Sequence, residues 1–127
     1  MCSTDAKNPF LATPCGVLAP LLEALGPELL TVSREENAVG VTAGTALAGC
    51  RPVVLMQNSG FGASLNAFAS LIQPYGVQLL LVISLRGRAA DLTTENLLMG
   101  TLTVPVLDLL DIPHRTLVTV QGVVGVV

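Results

Sequence analysis

Two stretches of the sequence are apolar along nearly their whole length, "PVVLMQ" at residues 52–57 and "VQLLLVISL" at residues 77–85. A strand with one face in water alternates apolar and polar residues, whereas a strand of a parallel sheet covered on both faces is a continuous apolar run. Both stretches are too short to cross a bilayer as a helix, which needs about 20 residues. They therefore predict buried strands with helices packed on the sheet.

Helical segments alternate with the strands along the chain. Apolar periodicity, together with breaks at Gly and Pro, predicts helices at residues 14–26, 35–47, about 63–72 and 97–110, the last with a break near Gly100 or Pro105. Strands are expected at residues 29–33, 52–57, 77–85 and 116–120. The alternation predicts an α/β fold with an open, doubly wound, mostly parallel sheet and helices on both faces.

The chain carries few charges for an isolated domain of its size. Charged residues make up 12% of the 127 residues and hydrophobic residues 51%, against about 25% charged residues in typical soluble domains. A chain of this length is expected to form one domain. We therefore expect a single domain over residues 1–127 that buries part of its surface against another chain or domain.

Charge and targeting signals argue against several classes of protein. The net charge is −3 without a cluster of Lys or Arg, which argues against a nucleic-acid partner. The N-terminal "MCSTDAKNPF" lacks the charged and apolar regions of a signal peptide, and no apolar run is long enough to span a membrane. We expect a cytoplasmic protein. Cys2, Cys15 and Cys50 lack metal-binding spacing and are expected to be reduced thiols.

The unusual polar residues of this apolar chain collect at one predicted edge of the sheet. In open α/β sheets, ligands bind beyond the carboxyl ends of the strands. Three segments are predicted to lie there, Ser33–Glu36, Gln57–Ser64 and Arg86–Arg88. We therefore expect the functional site at this edge.

Two adjacent carboxylates, Glu35 and Glu36, open the second predicted helix. A negative charge at a helix N-terminus is stabilising by about 0.3–1 kcal/mol, which would explain an acidic residue without any chemistry. The helix is also rich in Ala and Gly, including Gly40 and Gly44, and small residues let a backbone or a ligand approach closely. The residues alone leave both interpretations open.

The segment "QNSGFGASLN" at residues 57–66 joins a predicted strand to a helix. Gly60 and Gly62 lack the third glycine of a dinucleotide-binding loop, and the segment is not the G-x-S-x-G of a hydrolase nucleophile. One interpretation is a tight turn in which Asn58 or Ser59 caps the helix. The other is a ligand-binding turn.

Three further side chains are candidate ligand or metal groups. Arg86 and Arg88 flank a glycine at a predicted strand end, where they either bind an anion or solvate a loop. His114 is the only histidine, and without a second histidine or paired cysteines a structural role is favoured over metal binding. We predict no metal ligand in this chain.

Three segments, "REENAVGVTAGTALAG", "RPVVLMQNSGFGASLNAFASL" and "VQLLLVISLRG", together resemble the pyrimidine-binding domain of thiamine-diphosphate-dependent 2-oxoacid decarboxylases. The most specific piece is "MQNSGFG" after a strand. "TPCGVLAPLLEAL" and "LTVPVLDLLDIPH" are similar to the subgroup of sulfopyruvate decarboxylase alpha subunits and phosphonopyruvate decarboxylases. The resemblance extends from about Thr13 to His114.

The resemblance implies roles for the two glutamates. In the family pattern E-x-x-x-V-G-x-x-x-G, the catalytic glutamate stands nine positions before a glycine. Gly44 therefore assigns the role to Glu35 and leaves Glu36 without one. Glu35 would hydrogen-bond to N1′ of the aminopyrimidine of thiamine diphosphate.

The resemblance also implies binding residues beyond the glutamate. Asn58, Ser59 and Gly60 join Glu35 as expected cofactor-binding residues. Ser59 and Arg86 are expected to contact the acidic group of the substrate.

The family holds the diphosphate and Mg2+ through a G-D-G motif in a second domain, and this sequence has no G-D-G. The resemblance therefore implies that thiamine diphosphate and Mg2+ are held mainly by a diphosphate-binding beta subunit, in a hetero-oligomer or by self-association. The implied function is the alpha subunit of a decarboxylase for a small acidic 2-oxoacid, such as sulfopyruvate or phosphonopyruvate, that releases CO2 and an aldehyde. Two alternatives remain: a catalytically silent interaction or regulatory subunit with the same fold, and an unrelated nucleotide-binding α/β domain.

Overall fold

Strands and helices alternate along the chain, as the apolar pattern predicts. A computed structural model of the protein describes residues 8–88, 91–119 and 122–126. The strands are β1 (Phe10–Ala12), β2 (Leu29–Thr31), β3 (Val53–Gln57), β4 (Leu80–Ser84), β5 (Arg115–Thr119) and β6 (Gly122–Val126). The helices are α1 (Ala19–Leu25), α2 (Glu35–Leu47), α3 (Asn58–Ala63), α4 (Leu65–Ala67) and α5 (Thr94–Leu109), with a π-helical turn at Phe68–Ile72.

The strands form one mixed sheet in the order β2-β1-β3-β4-β6-β5. The first four are parallel neighbours, which confirms the α/β fold. β5 and β6 form a hairpin, and β6 pairs antiparallel with β4. Because β1 lies between β2 and β3, the chain reverses its direction across the sheet there. Such reversal points are where α/β sheets bind ligands.

The sheet is covered on both faces. Successive side chains of a strand point to opposite faces, and alternate residues of β3 and β4 belong to two separate apolar clusters. One cluster packs the sheet against α2, α3, the π-helical turn and α5, and includes Val39, Met56, Phe61, Ile83 and Leu107. The other packs it against α1 and includes Ala12, Cys15, Leu18 and Leu55. Each fully buried aliphatic side chain contributes about 1.5–3 kcal/mol of burial free energy.

Helix α2 has the predicted bounds, Glu35–Leu47. Its buried side is made of small and branched residues, Ala38, Val39, Thr42 and Ala43, which allow the helix to lie close to the sheet. Gly49 follows the end of the helix with φ 90°, a conformation that favours glycine and stops helices.

Three predicted helix boundaries are wrong, and the strands predicted at residues 29–33 and 77–85 are shorter, at Leu29–Thr31 and Leu80–Ser84. The first helix begins at Ala19 rather than residue 14, because the preceding residues form turns through hydrogen bonds such as Leu18 N to Cys15 O. Helix begins directly after β3 at Asn58 rather than near residue 63. α5 begins at Thr94 and continues through Gly100 and Pro105 without a break.

The sheet also contains two strands that the apolar pattern did not predict. β1 is only three residues long, too short to show periodicity. The strand predicted as the last one, residues 116–120, corresponds to β5 and is followed by β6. The pairing of β6 depends on β4 and β5, which local sequence does not reveal.

The cysteines follow the prediction only in part. Cys15 is a free, buried thiol, whereas Cys50 is disulfide-bonded, so the expectation of a reduced thiol is wrong for Cys50. Pairing depends on which cysteines the fold brings together, and spacing along the chain does not show this. Cys2 lies outside the described residues. Within the described ranges, no helix is long and apolar enough to cross a membrane.

Candidate functional site

The carboxyl ends of the parallel strands bring the predicted polar segments to one edge of the sheet. β3 ends at Gln57 and β4 at Ser84, and these two residues are directly paired in the parallel register. α2 begins at this edge after β2, and α3 begins there immediately after β3. The three polar segments expected at the carboxyl edge are therefore all found there.

Glu35 lies against the backbone of Gly60. A Cβ added at Gly60 would stand 2.6 Å from both Cδ and Oε1 of Glu35, closer than real Cβ atoms come to their neighbours. Glu35 is half-buried, and among the described residues its carboxylate forms no ion pair. The first turn of α2 and the first turn of α3 thus hold one carboxylate between them.

Glu36 has a different environment. It is exposed, and its Oε1 lies 3.1 Å from Nε of Arg34, whose side chain is also exposed. An exposed pair of this kind is worth only about 0–1 kcal/mol. Glu36 therefore acts as a surface residue, while its neighbour points towards Gly60.

The side chain of Gln57, the last residue of β3, contacts residues that follow β1, β3 and β4 in the chain. Its Nε2 donates to Ser59 Oγ at 2.9 Å, and its Oε1 accepts from Cys15 Sγ at 3.7 Å and from Arg86 Nη1 at 3.5 Å. Cys15 Sγ and the buried Ser84 Oγ share a hydrogen bond of 3.1 Å. The contacts to Gln57 Oε1 are long and weak, so Ser59 is its firmest partner.

Asn58 is buried and ties α3 to the segment after β4. It is 0% exposed, and its Nδ2 donates to the backbone oxygen of Arg86 at 2.9 Å. Its Oδ1 has no hydrogen-bond partner in the described part of the chain. The capping interpretation of Asn58 and Ser59 is wrong: Gln57 occupies the N-cap position of α3 and no side chain caps it.

Arg86 is held by Asp91. Arg86 Nε donates to Asp91 Oδ2 at 2.5 Å, and the two side chains are 28% and 21% exposed. The hydrogen bond from Arg86 lowers the pKa of Asp91 well below its ordinary value, helped by hydrogen bonds from Thr93 and Gly87. Asp91 in turn raises the pKa of Arg86, so both side chains are charged at neutral pH. Arg86 is thus a fixed cation at the carboxyl edge.

Comparison with known proteins identifies relatives over most of the chain. The sulfopyruvate decarboxylase subunit alpha of Methanothermobacter thermautotrophicus is 38% identical over 117 residues, which cover 88% of this chain and 71% of that subunit. The same subunit of Methanocaldococcus jannaschii is 38% identical over 114 residues, covering 86% and 68%. The chain belongs to the sulfopyruvate decarboxylase alpha-subunit family. No family model matches it.

The chain is also similar to part of a longer enzyme. Phosphonopyruvate decarboxylase of Streptomyces viridochromogenes is 34% identical over 103 residues, which cover 77% of this chain and 26% of that enzyme. The recognised resemblance is therefore confirmed for both kinds of decarboxylase. The name "subunit alpha" implies a partner subunit in those relatives.

Within this family fold, the predicted site residues fall into two connected groups. Glu35 and Gly60 are in contact, and Ser59, Asn58 and Arg86 are joined directly or through Gln57. Their roles in binding or catalysis stay predictions.

Sequence reasoning placed Gln57 at this edge without assigning it a role, and it missed Cys15, Ser84 and Asp91 as members of the site. Gln57 and Ser84 carry a usable signal, because each is a polar residue that ends an otherwise apolar strand. Cys15 and Asp91 carry none, because they enter the site through loops.

The remaining candidates have structural partners elsewhere. Arg88 Nε donates to the Gly100 carbonyl at 2.6 Å, so it does more than solvate a loop. His114 contacts the Ile112 carbonyl through Nδ1 at 3.0 Å, in keeping with a structural role. Among the described residues, no group of three His, Cys, Asp or Glu side chains is placed to hold a metal ion.

Proposed function

We propose that this chain is the pyrimidine-binding alpha subunit of a thiamine-diphosphate-dependent decarboxylase that acts on sulfopyruvate, phosphonopyruvate or a similarly small acidic 2-oxoacid. The names of the relatives support the reaction class. The observation that carries the assignment is the position of Glu35, half-buried against Gly60 at the carboxyl edge, beside an exposed and ion-paired Glu36.

The residues present fit the aminopyrimidine part of the cofactor. Glu35 offers a carboxylate without an ion pair among the described residues, as a partner of a ring nitrogen requires. The Glu35 side chain can lie against α3 because residue 60 lacks a Cβ. When bound, thiamine diphosphate supplies the electron sink for decarboxylation. Glu35 would hold or move a proton at N1′ of the pyrimidine, while Ser59 and Gly60 would line the same turn.

The diphosphate and Mg2+ are assigned to a partner. The sequence has no G-D-G motif, and the described residues include no group of metal-ligating side chains. We propose that a diphosphate-binding beta subunit supplies both functions, and that the active unit is a cytoplasmic hetero-oligomer.

The acidic group of the substrate is assigned to Arg86 and Ser59. Arg86 is a charged donor at the carboxyl edge, and Gln57 links it to Ser59. Sulfonate and phosphonate groups present several acceptor oxygens, which guanidinium donors bind as charge-assisted hydrogen bonds.

The proposal is tested by reconstitution. The chain, a G-D-G partner chain, thiamine diphosphate and Mg2+ are combined, and CO2 release is measured with sulfopyruvate, phosphonopyruvate and pyruvate. We expect the acidic substrates to have a kcat/KM roughly 10- to 150-fold above that of pyruvate, the range that charged hydrogen bonds supply. An assembly that forms but decarboxylates none of the three would instead support the catalytically silent subunit.

A further inference from the structure

One carboxylate, that of Asp91, accepts hydrogen bonds from residues on both sides of it in the segment that follows β4. Asp91 Oδ2 accepts from Arg86 Nε at 2.5 Å, from Gly87 N at 3.1 Å and from Asn96 Nδ2 at 3.2 Å. Its other oxygen, Oδ1, accepts from Thr93 N at 3.2 Å. A single side chain thus connects the end of β4 to the first turn of α5.

The backbone of this segment is packed tightly onto α5. Gly87 has φ 73°, and a Cβ there would overlap the carbonyl oxygen of Asn96. A Cβ at Gly100 would overlap the carbonyl oxygen of Gly87. Arg88 adds a hydrogen bond to the Gly100 carbonyl. The backbone at Gly87, next to Arg86, therefore lies directly against α5.

The orientation of the Arg86 side chain is set by fewer contacts than its backbone. The guanidinium has five N–H donors. The described residues provide an acceptor for Nε, at Asp91, and a long contact for Nη1, at Gln57. The two hydrogens on Nη2 have no acceptor among those residues. Without Asp91, only the 3.5 Å contact would restrain the guanidinium.

We propose that Asp91 is a positioning residue that orients Arg86 so that its outer nitrogens bind the sulfonate or phosphonate group of the substrate. This inference rests on the proposed function. It assigns to Asp91 a role in substrate affinity through Arg86, with no contact between Asp91 and the substrate.

Asp91 also has an electrostatic effect on anion binding, opposite in direction to its effect on the orientation of Arg86. Asp91 is negative, and its charge also weakens the attraction of Arg86 for an anion. If orientation dominates, loss of the Asp91 charge weakens anion binding. If charge compensation dominates, the same change strengthens it. Asp91 accepts hydrogen bonds from Arg86 Nε, Gly87 N and Asn96 Nδ2 at once, so we expect orientation to dominate.

The test measures KM and kcat of the reconstituted assembly with variants of this chain. Asp91→Asn and Asp91→Ala should raise KM for the acidic substrate at least about tenfold, the effect of losing a charged hydrogen bond, while kcat changes less than about threefold. Asp91→Glu, which keeps the charge, should recover part of the loss. Glu23→Gln removes one exposed charge from α1, outside the carboxyl-edge site, and should leave KM unchanged. A lowered KM in Asp91→Asn would overturn the proposal.

A double variant shows whether Asp91 acts through Arg86. Arg86→Ala should raise KM by itself, and Asp91→Asn in that background should raise it no further. Independent, multiplying effects of the two substitutions would contradict the proposal and indicate a general role in folding of the segment.

A binding measurement separates this inference from the proposed function. Calorimetric titration of the assembly with sulfoacetate, which has the acidic group but no keto group, should show weaker binding for Asp91→Asn and Arg86→Ala than for the wild type and Glu23→Gln. This pattern in an assembly without decarboxylase activity would overturn the proposed function and keep the inference. Normal decarboxylation with equal sulfoacetate affinity in all variants would overturn the inference alone.

Discussion

Two glutamates that are adjacent in the sequence differ in what they touch. Both lie in the first turn of α2, so the helix dipole treats them nearly alike and favours each by at most about 1 kcal/mol. What separates them is direction: Glu36 pairs with Arg34 on the surface, and Glu35 packs on Gly60. The resemblance assigns chemistry to Glu35 by its spacing to Gly44, and the packing on Gly60 supports the same choice independently.

Gly60→Ala should lower the kcat of the assembly without unfolding the chain. The added Cβ would overlap Cγ, Cδ and Oε1 of Glu35, and these atoms belong to a side chain that can rotate away. A displacement of about 1 Å at a catalytic group costs roughly 10²-fold in rate, and we expect kcat to fall by about that factor. Gly16→Ala is the control, because its Cβ meets no atom within 4 Å. Full activity of Gly60→Ala with a normal unfolding transition would show that the position of Glu35 is unimportant.

Helices and loops differ in how well local sequence predicts them. α2 has the predicted bounds because its apolar periodicity, acidic first turn and Gly49 agree. The continuous α5 was not predicted, because Gly100 and Pro105 are breakers in isolation. Gly100 is required by its contact with Gly87, a reason that lies twelve or more residues away in the chain. Asp91 was missed for a different reason: its partners lie within five residues of it, but nothing in a polar loop shows which donors an acidic residue will accept from.

The loop held by Asp91 should make the chain sensitive to acid. The folded-state pKa of Asp91 lies well below its ordinary value because of the hydrogen bond from Arg86. A carboxyl group with a depressed pKa stabilises the fold above its unfolded-state pKa, about 3.9, and this contribution is lost as the pH falls towards the folded-state value. Urea unfolding between pH 6 and pH 3 should show a smaller loss of stability in Asp91→Asn than in the wild type. Parallel pH curves for the two proteins would contradict this.

The outer side of α2 is an apolar face that contains two glycines. Gly40, Val41, Gly44 and Leu47 share this face with helical spacing, all four are exposed, and a Cβ at either glycine would meet nothing within 4 Å. Such glycines reduce helix stability by about 0.5–1 kcal/mol relative to alanine. Their presence is explained if another chain approaches the helix closely there.

Gly44→Ala should therefore have opposite effects on the chain and on the assembly. The unfolding free energy of the isolated chain should rise by about 0.5–1 kcal/mol, measured by urea denaturation. Affinity for the partner chain, measured by calorimetry, should fall because the new methyl group lies in the contact. Gly16→Ala, outside this face, is the control for association. A stabilised chain with unchanged affinity would show that this face is not an interface.

At the scale of the whole molecule, the chain has few charged residues, and several large apolar side chains are exposed on its surface. Leu47 is 70% exposed, Leu98 68% and Leu109 83%. Composition alone predicted that some surface would need a partner, and it could not say which surface, because that depends on which helix sides the sheet covers. The α/β class and the carboxyl-edge site were predicted because continuous apolar strands restrict the topology. The β5–β6 hairpin was not predicted. It joins the sheet beyond β4, and local sequence does not reveal that pairing.

The exposed leucines predict that the chain associates. Light scattering of the purified chain, alone and mixed with a G-D-G partner chain, should give a mass above that of a monomer in at least one case. A monomer in both would contradict the expectation of an interface and, with it, the assignment of the diphosphate and Mg2+ to a second chain.

The account depends most on Glu35 being the catalytic carboxylate. The most direct test is steady-state decarboxylation by the Glu35→Gln and Glu36→Gln assemblies at saturating thiamine diphosphate and Mg2+. Glutamine keeps the size of the side chain and a hydrogen bond but cannot share a proton. Glu35→Gln should lower kcat by roughly 10²–10⁴, the contribution of positioned acid–base catalysis, and Glu36→Gln should lower it less than about tenfold, since it removes only a surface interaction. An inactive Glu36→Gln assembly beside an active Glu35→Gln assembly would contradict the account.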